Sequence, residues 1–391
     1  MKKIIMISLG LSLTAFGMSY KEFKRYTQKN AKVLQSQALS LQTTQEKNKI
    51  LLRSQNPTLG FEASRFNPKS IDASFQYAVS ITQTIRTGNY YGGLEDKANA
   101  NTLLQQAYVQ DGKAGYIRTL EKFYTEYVYQ SKLLALLQEE YTLSNKVTKI
   151  VEERYKSGSE NKVAYLQAKT DTITLKTQMF TTKQQMNTLY YQLLAIAGLS
   201  TKVSLEKQFI YPISSSVQNA KKQNTKQQIL QAKAKVLESQ MRMNESSINS
   251  YDVYTSIEDE PEQSIIRVGV SIPLPIFNSK SEEKMLAKLQ REQLTLDNEQ
   301  LALNLHSQNE MIKASIKELN NQYYALKTLK KEQQILNNLL QEGYKIAQGS
   351  IFVMMNAKNK LIQTQKSLLQ TQKAINRQKI ELRFIQGQYN D

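Results

Sequence analysis

Apolar residues recur along this chain at two different spacings, which predict two kinds of secondary structure. The first spacing is seven residues, and it runs through three series: Leu120, Tyr127, Leu134 and Tyr141; Leu305, Ile312, Leu319 and Leu326; Leu361, Leu368, Ile375 and Leu382. A sustained repeat of seven residues is typical of helices that pack along their length in a left-handed supercoil. The prediction is a mainly α-helical chain, with helices long enough to form a rod or a tube.

The second spacing is strict alternation, which is clearest in the stretch SIIRVGVSIPLPIFN at residues 264–278. Apolar side chains occupy every second position there: Ile266, Val268, Val270, Ile272, Leu274 and Ile276. The stretch at 74–85 alternates in the same way, with Phe75, Tyr77, Val79 and Ile81. Alternation with a period of two predicts strands that have one apolar and one polar face. The β portion of the protein is therefore small.

The two halves of the chain resemble each other, which indicates an internal repeat. Tyr155 and Lys156 recur as Tyr344 and Lys345, 189 residues later, and the alternating stretches recur after 191 residues. Each half is predicted to contain a helix, two strands, a long helix, a turn and a further helix. We expect a first structural repeat at residues 20–198, an irregular segment at 199–221 and a second structural repeat at 222–391.

The pattern also gives approximate limits for each element of the two repeats. In the first repeat we expect a helix at 31–56, strands at 59–66 and 74–85, a helix at 91–154, a turn near residue 158 and a helix ending near 197. In the second repeat we expect a helix at 222–247, strands at 251–257 and 265–276, a helix at 281–345, a turn near residue 349 and a helix at 350–385.

The N-terminal sequence MKKIIMISLGLSLTAFGMSY predicts a secretory signal peptide. Two lysines precede a short apolar stretch, and small residues follow near Gly17 and Ser19. This order of charge, apolar stretch and small residues is typical of cleaved export signals. We assign residues 1–19 to the signal peptide, with cleavage expected between positions 17 and 20.

Composition excludes several classes of chemistry. The 391 residues include no cysteine and one histidine, so disulfides, thiolate metal sites and most histidine-based catalysis are excluded. No catalytic sequence motif is present, and we predict no enzyme activity, no cofactor and no metal site. The formal net charge of +18 is compatible with nucleic-acid binding. However, the lysines are spread along the helices and the chain is exported, so we expect no nucleic-acid partner.

The alternating strands have the length of strands that cross a membrane, about 9–11 residues. Their apolar residues are predicted to face lipid and their polar residues to face an aqueous interior. Four strands cannot close a membrane barrel, because about eight is the smallest number observed. Two chains would supply eight strands and three chains would supply twelve, with a water-filled lumen. We expect a homotrimer in contact with membrane lipid.

The signal peptide, the doubled order of elements, the strand ending VGVSIPLPIFN and the turn motifs YKSGSENKVAYLQAK and YKIAQGSIFVMMNAK together resemble the TolC-like outer-membrane efflux factors. The resemblance implies a shared 12-stranded trimeric β-barrel, with four transmembrane strands from each chain, above a periplasmic α-barrel. It also implies residence in the Gram-negative outer membrane. The implied partners are a periplasmic adaptor and an inner-membrane pump, and the implied activity is passive efflux.

The same resemblance suggests roles for the two helical turns. It implies that Gly158, Ser159, Gly349 and Ser350 lie where an adaptor docks. It also places the periplasmic gate at Tyr344, Val353, Met354, Met355 and Asn356. Relatives carry acidic residues at the positions of Val353 and Asn356, so closure here is expected to use apolar packing and hydrogen bonds.

Two other functions remain compatible with the sequence. A channel for one-step secretion of proteins or peptides would use the same architecture. A periplasmic coiled-coil scaffold or adaptor would share the long helices but would need no membrane-facing strands. Extraction from the membrane separates these alternatives, because a rod is released by carbonate whereas a barrel needs detergent.

Overall fold

The computed structural model describes residues 17–66, 74–215, 223–260, 262–345 and 350–389. The chain divides into two compact units, and neither unit corresponds to one of the two predicted repeats. One unit comprises Met1–Gln35, Gly112–Lys222 and Leu305–Asp391, and the other comprises Ser36–Asp111 and Gln223–Asn304. Each unit therefore combines segments from both halves of the sequence.

The fold is mainly α-helical and has one small sheet, as predicted. The helices in the described part of the chain are α1 (Tyr20–Asn30), α2 (Lys32–Leu52), α3 (Gly88–Lys156), α4 (Lys162–Ala197), α5 (Thr225–Glu245), α6 (Ser281–Lys345) and α7 (Ile351–Ile385). The strands are β1 (Thr58–Phe66), β2 (Ser74–Arg86), β3 (Ser250–Asp259) and β4 (Ser264–Ser271). Within the described ranges, no helix is both long and apolar enough to cross a membrane.

The first helical region begins earlier than the predicted helix at 31–56, and it is interrupted. Ser19 caps α1 through a capping box, in which its hydroxyl accepts the Glu22 amide and the Glu22 carboxylate accepts the Ser19 amide. Ala31 then adopts an extended backbone, which separates α1 from α2. The Ser-x-x-Glu spacing was visible in the sequence and marks the start that the prediction missed.

The four strands form one antiparallel sheet in the order β1-β2-β3-β4. The predicted strand at 265–276 is too long, because β4 ends at Ser271. Apolar alternation continues to Ile276, but Pro273 and Pro275 have no backbone N–H to donate to a neighbouring strand. The alternation of apolar and polar side chains therefore continues beyond Ser271, where the hydrogen bonding between β4 and β3 ends.

A buried carboxylate, Glu121 of α3, joins distant parts of the first unit. It accepts hydrogen bonds from the hydroxyls of Tyr20 at 2.7 Å, Tyr211 at 2.8 Å and Tyr389. The Lys24 ammonium lies 3.6 Å from the same carboxylate. Burial, with a further contribution from Glu121, raises the pKa of Tyr20 and of Tyr389, so both phenols stay protonated and donate. The N-terminal helix and the end of the chain are thus fixed to α3.

Candidate functional site

Apolar side chains line one face of the sheet across all four strands. Cross-strand pairing places Phe61 opposite Val79, Val79 opposite Ile257, and Ile257 opposite Ile266. These four side chains are exposed by 76%, 42%, 57% and 72%, respectively. A row of apolar residues that stays exposed over the full width of a sheet is typical of a surface that contacts a partner or lipid.

The residues predicted to face lipid share this exposed face as far as the strands extend. Phe75, Tyr77, Val79 and Ile81 lie on β2, and Ile266, Val268 and Val270 lie on β4; all of them are exposed. Ile272, Leu274 and Ile276 are also exposed but follow the end of β4. Leu59 and Phe61 of β1 and Ile257 of β3 join the same face, although the prediction did not name them. Their membership follows from the strand register, which the sequence alone does not give.

The opposite face of the sheet is polar, and its side chains are bonded to one another. The Gln76 amide donates to the Glu258 and Glu260 carboxylates at 2.9 and 3.0 Å. Glu258 also forms an ion pair with Arg267, and the Thr84 hydroxyl donates to Asp252 at 2.6 Å. Charged groups of this kind are stable beside water and costly beside hydrocarbon. The two faces are therefore suited to two different solvents.

The sheet has two open edges in the described part of the chain, because β1 and β4 each pair with one neighbour only. Unpaired backbone groups are not tolerated in hydrocarbon, where no water is available to satisfy them. If the apolar face contacts lipid, strands from other chains must complete the ladder at both edges. Contact of the apolar face with lipid would therefore require further copies of the chain.

The turn between α3 and α4 has the tight backbone expected near residue 158. Gly158 has a φ of +77°, which only glycine adopts at little cost. The Ser159 amide donates to the Arg154 carbonyl at 2.8 Å, and the Asn161 side chain caps α4. Gly158 and Ser159 are exposed. Ser350 is also exposed and precedes α7, whereas Gly349 lies outside the described residues.

The five residues assigned to the gate separate into two groups. Tyr344, Met354 and Met355 are buried in one apolar cluster together with Val151, Ala164, Ala168 and Ile351. The Tyr344 hydroxyl lies 3.4 Å from the Glu160 carboxylate, and the Arg154 guanidinium stacks on the Tyr344 ring at 4.5 Å. Val353 and Asn356 are exposed. The two methionines therefore pack within the chain, and of the five predicted gate residues only Val353 and Asn356 are exposed, so that they can face a neighbouring chain or a pore.

A set of buried and partly buried polar side chains lies close to this cluster, and the sequence did not predict it. Glu140 is 9% exposed and Lys358 is 6% exposed. Burial raises the pKa of Glu140 and lowers the pKa of Lys358, and the attraction between the two groups opposes both shifts. Nearby, the Ser144 and Thr148 hydroxyls lie 2.9 and 2.8 Å from the Thr172 hydroxyl. The helices near the turn are thus joined by polar as well as apolar contacts.

Comparison with known proteins identifies the fold. No protein-family model and no curated protein sequence matches the chain. Among solved structures, the chain is similar to the outer membrane protein VceC from Vibrio cholerae, with a TM-score of 0.79, 12% identity and coverage of 94% of this chain and 95% of VceC. It is also similar to CusC, with a TM-score of 0.77, 16% identity and coverage of 94% and 91%. For the outer-membrane channel OprN the TM-score is 0.81, the identity 10% and the coverage 95% and 90%.

These similarities span nearly the whole of each chain, although few residues are identical. The solved structures that the chain resembles are outer-membrane channels with the TolC-like fold, which is the fold that the sequence motifs predicted. The chain therefore has the TolC-like fold.

Proposed function

We propose that this protein is the outer-membrane channel component of a tripartite efflux system. It would reside in the Gram-negative outer membrane, extend into the periplasm and act as a passive conduit without enzyme activity. The observation that carries the proposal is the sheet with a largely apolar exposed face, a bonded polar face and two open edges in the described part of the chain. The fold shared with outer-membrane channels supports the same assignment.

A homotrimer satisfies the open edges of the sheet, because three chains supply twelve strands. The helices support contact between copies as well. On α4, the apolar residues Leu166, Ile173 and Phe180 recur every seven residues and are exposed, whereas its buried residues lie on the opposite side. On α6, Leu289, Leu296 and Leu303 form a second exposed series with the same spacing. Such seams are buried when helices of neighbouring chains pack side by side.

Replacing Ile173 with glutamate is expected to weaken the trimer by about 2 kcal/mol or more, because a buried apolar contact is lost and a carboxylate takes its place. Native mass spectrometry in mild detergent should show a trimer for the wild-type protein and a shift toward monomer for this variant. Thr174→Glu is the matched control, since Thr174 is exposed next to the seam but outside it. Equal trimer fractions for I173E and T174E would contradict the contact.

The proposed partners are a periplasmic adaptor and an inner-membrane pump. The proposed docking site for the adaptor is the exposed turn at Gly158 and Ser159, whose backbone is fixed by the positive φ of Gly158 and by the Asn161 cap. Ser350 contributes from the start of α7, and Gly349 belongs to the same proposed site by sequence alone. The passage itself would be passive, with the choice of cargo made by the pump.

Closure of the conduit is proposed to involve Val353 and Asn356. These two side chains are exposed on the isolated chain, so they are available to meet their counterparts in neighbouring chains. Replacing both with alanine should raise the single-channel conductance, because both changes remove volume from a constriction. Met354→Ala is the control, since Met354 is buried within its own chain. Unchanged conductance in the V353A/N356A protein would exclude this gate.

A secretory signal peptide is removed from the mature protein, and we propose cleavage after Gly17. Ala15 and Gly17 supply small residues at the third and first positions before this bond, as the export signal requires. Met18 already belongs to the fold, because its amide donates to the Ser204 carbonyl at 2.7 Å and its carbonyl accepts the Glu206 amide at 3.0 Å. Cleavage after Ser19 would instead remove the cap of α1.

The intact mass of protein purified from the outer membrane should therefore correspond to a chain that begins at Met18. Hydrolysis of the bond would leave a free ammonium at Met18, which can still donate to the Ser204 carbonyl. N-terminal sequencing provides an independent measurement. A first residue of Tyr20, or retention of the whole leader, would contradict the proposed site.

Membrane extraction tests the proposed function against its alternatives. Carbonate should leave the protein in the membrane and detergent should release it, because an apolar barrel surface is stable only in lipid or detergent. Release by carbonate would instead favour a periplasmic scaffold or adaptor. A one-step secretion channel would resist carbonate too, and it would be distinguished by an associated ATP-driven transporter in place of an efflux pump.

A further inference from the structure

Tyr254 and Gly269 face each other across β3 and β4 on the polar face of the sheet. A Cβ atom placed on Gly269 would lie 2.5 Å from both Cζ and Oη of Tyr254 and 2.7 Å from its Cε1. Real Cβ atoms do not approach other atoms so closely. The outer half of the Tyr254 ring therefore occupies the space in which a β4 side chain would otherwise stand.

The position of the ring shows that it lies along the sheet and does not project away from it. Side chains in strands usually stand roughly perpendicular to the sheet. Neighbouring strands are only about 4.8 Å apart, so a tyrosine that leans sideways reaches the backbone of the next strand. Tyr254 does this, since its hydroxyl end lies over Gly269. Because β4 is an outer strand of the sheet, the phenol ends close to the open edge.

We propose that Gly269 forms a slot that holds the Tyr254 ring flat against the wall of the lumen, so that this pair sets the open width of the lumen at this level. The inference rests on the proposed function, because the polar face lines a lumen only when the sheet is part of a closed barrel. In a trimer the pair occurs three times, each time one strand away from the seam where β4 of one chain meets β1 of the next. If a side chain at position 269 filled the slot, the three Tyr254 rings of the trimer would project into the lumen.

If the contact between Tyr254 and Gly269 only stabilised strand pairing, the expected results would be different. An aromatic ring that covers a glycine on a neighbouring strand stabilises the pairing and fixes the register of an edge strand. Loss of that contact would lower stability but would leave the lumen no narrower. Conductance and ring accessibility therefore distinguish the slot from simple packing, whereas stability alone does not.

Gly269→Ala tests the slot directly in planar bilayers. The added methyl must displace the ring, which is the mobile end of a side chain with two rotatable bonds, so the strand itself can stay in place. We expect a loss of single-channel conductance in G269A. Conductance in Y254A should equal or exceed that of the wild type, and Y254A/G269A should match Y254A because no ring remains to be displaced.

Gly60→Ala is the matched control for these variants. It adds the same methyl group to the same polar face, where the nearest atom is the Ser80 hydroxyl at 2.6 Å. No ring is displaced there, so conductance should not fall. Unchanged conductance in G269A, an equal loss in G60A, or a loss that persists in Y254A/G269A would each overturn the slot.

A fluorescence measurement tests the slot without altering Gly269. The protein contains no tryptophan, so Tyr254→Trp introduces a single indole, which can be excited at wavelengths where the tyrosines do not absorb. With Gly269 intact, this indole should be shielded from acrylamide in the lumen. Ser256→Trp, two residues along β3 and opposite Arg267, has no slot and should be quenched strongly. Equal quenching of the two tryptophans would refute the slot. A wild-type protein that forms no channel would instead refute the proposed function.

Discussion

Replacing Val268 with arginine is expected to prevent stable insertion of the barrel. Val268 lies on the exposed apolar face of β4 and is 78% exposed on the isolated chain, so its proposed surroundings are lipid. An arginine on the lipid face costs about 2–4 kcal/mol near the middle of the bilayer. Since a trimer carries the change three times, the total cost is comparable to the whole stability of an ordinary domain.

The free energy of folding into phospholipid vesicles, measured by denaturant titration, checks this expectation. Ser271→Arg is the matched control, because Ser271 belongs to the polar face of the same strand. An arginine there should be hydrated in the lumen and should leave insertion unchanged. If V268R and S271R folded into vesicles equally well, the apolar face would not be the lipid-facing one.

Replacing Glu121 with leucine is expected to destabilise the first unit by about 3–5 kcal/mol, the usual cost of removing one partner from a buried charged network. Glu121 is 1% exposed, and it is the shared acceptor for the hydroxyls of Tyr20, Tyr211 and Tyr389. Its loss would leave these donors without their acceptor, and the Lys24 ammonium would lose its nearby carboxylate. The N-terminal helix and the C-terminal end would then both detach more easily from α3.

The unfolding midpoint in guanidinium chloride measures this effect in detergent-solubilised protein. Glu121→Gln retains one oxygen as an acceptor and should cost less than Glu121→Leu. Truncation after Gly387 removes Tyr389. In the Glu121→Leu background this truncation measures the other contacts of the C-terminal end, because the hydrogen bond from Tyr389 to Glu121 is already lost there. A midpoint in E121L equal to that of the wild type would show that the network does not hold the unit together.

The apolar face of the sheet could be predicted from the sequence because alternation is a local property. Phe75 to Ile81 and Ile266 to Val270 were found in this way. Phe61 and Ile257 could not be assigned to the same face, since that depends on which residues pair across strands. The end of β4 was placed too late because side-chain alternation carries no information about backbone donors, which Pro273 lacks.

In the helices, too, some features could be predicted from the sequence and others could not. The turn at Gly158 was predictable, because a glycine breaks a long seam there. Met354 and Met355 were expected near the gate, but burial depends on which side of α7 meets the neighbouring helices, and both methionines pack inward. The Glu121 network was not predictable at all, because it joins residues 268 positions apart in the sequence.

The most direct test of the proposed channel is the electrical behaviour of the purified protein in a planar lipid bilayer. We expect discrete, uniform conductance steps, because each trimer would place one water-filled lumen across the membrane. We also expect few or no steps from V268R added at the same concentration. Absence of steps from wild-type protein shown to be folded and trimeric would contradict the proposal that this chain forms an outer-membrane channel.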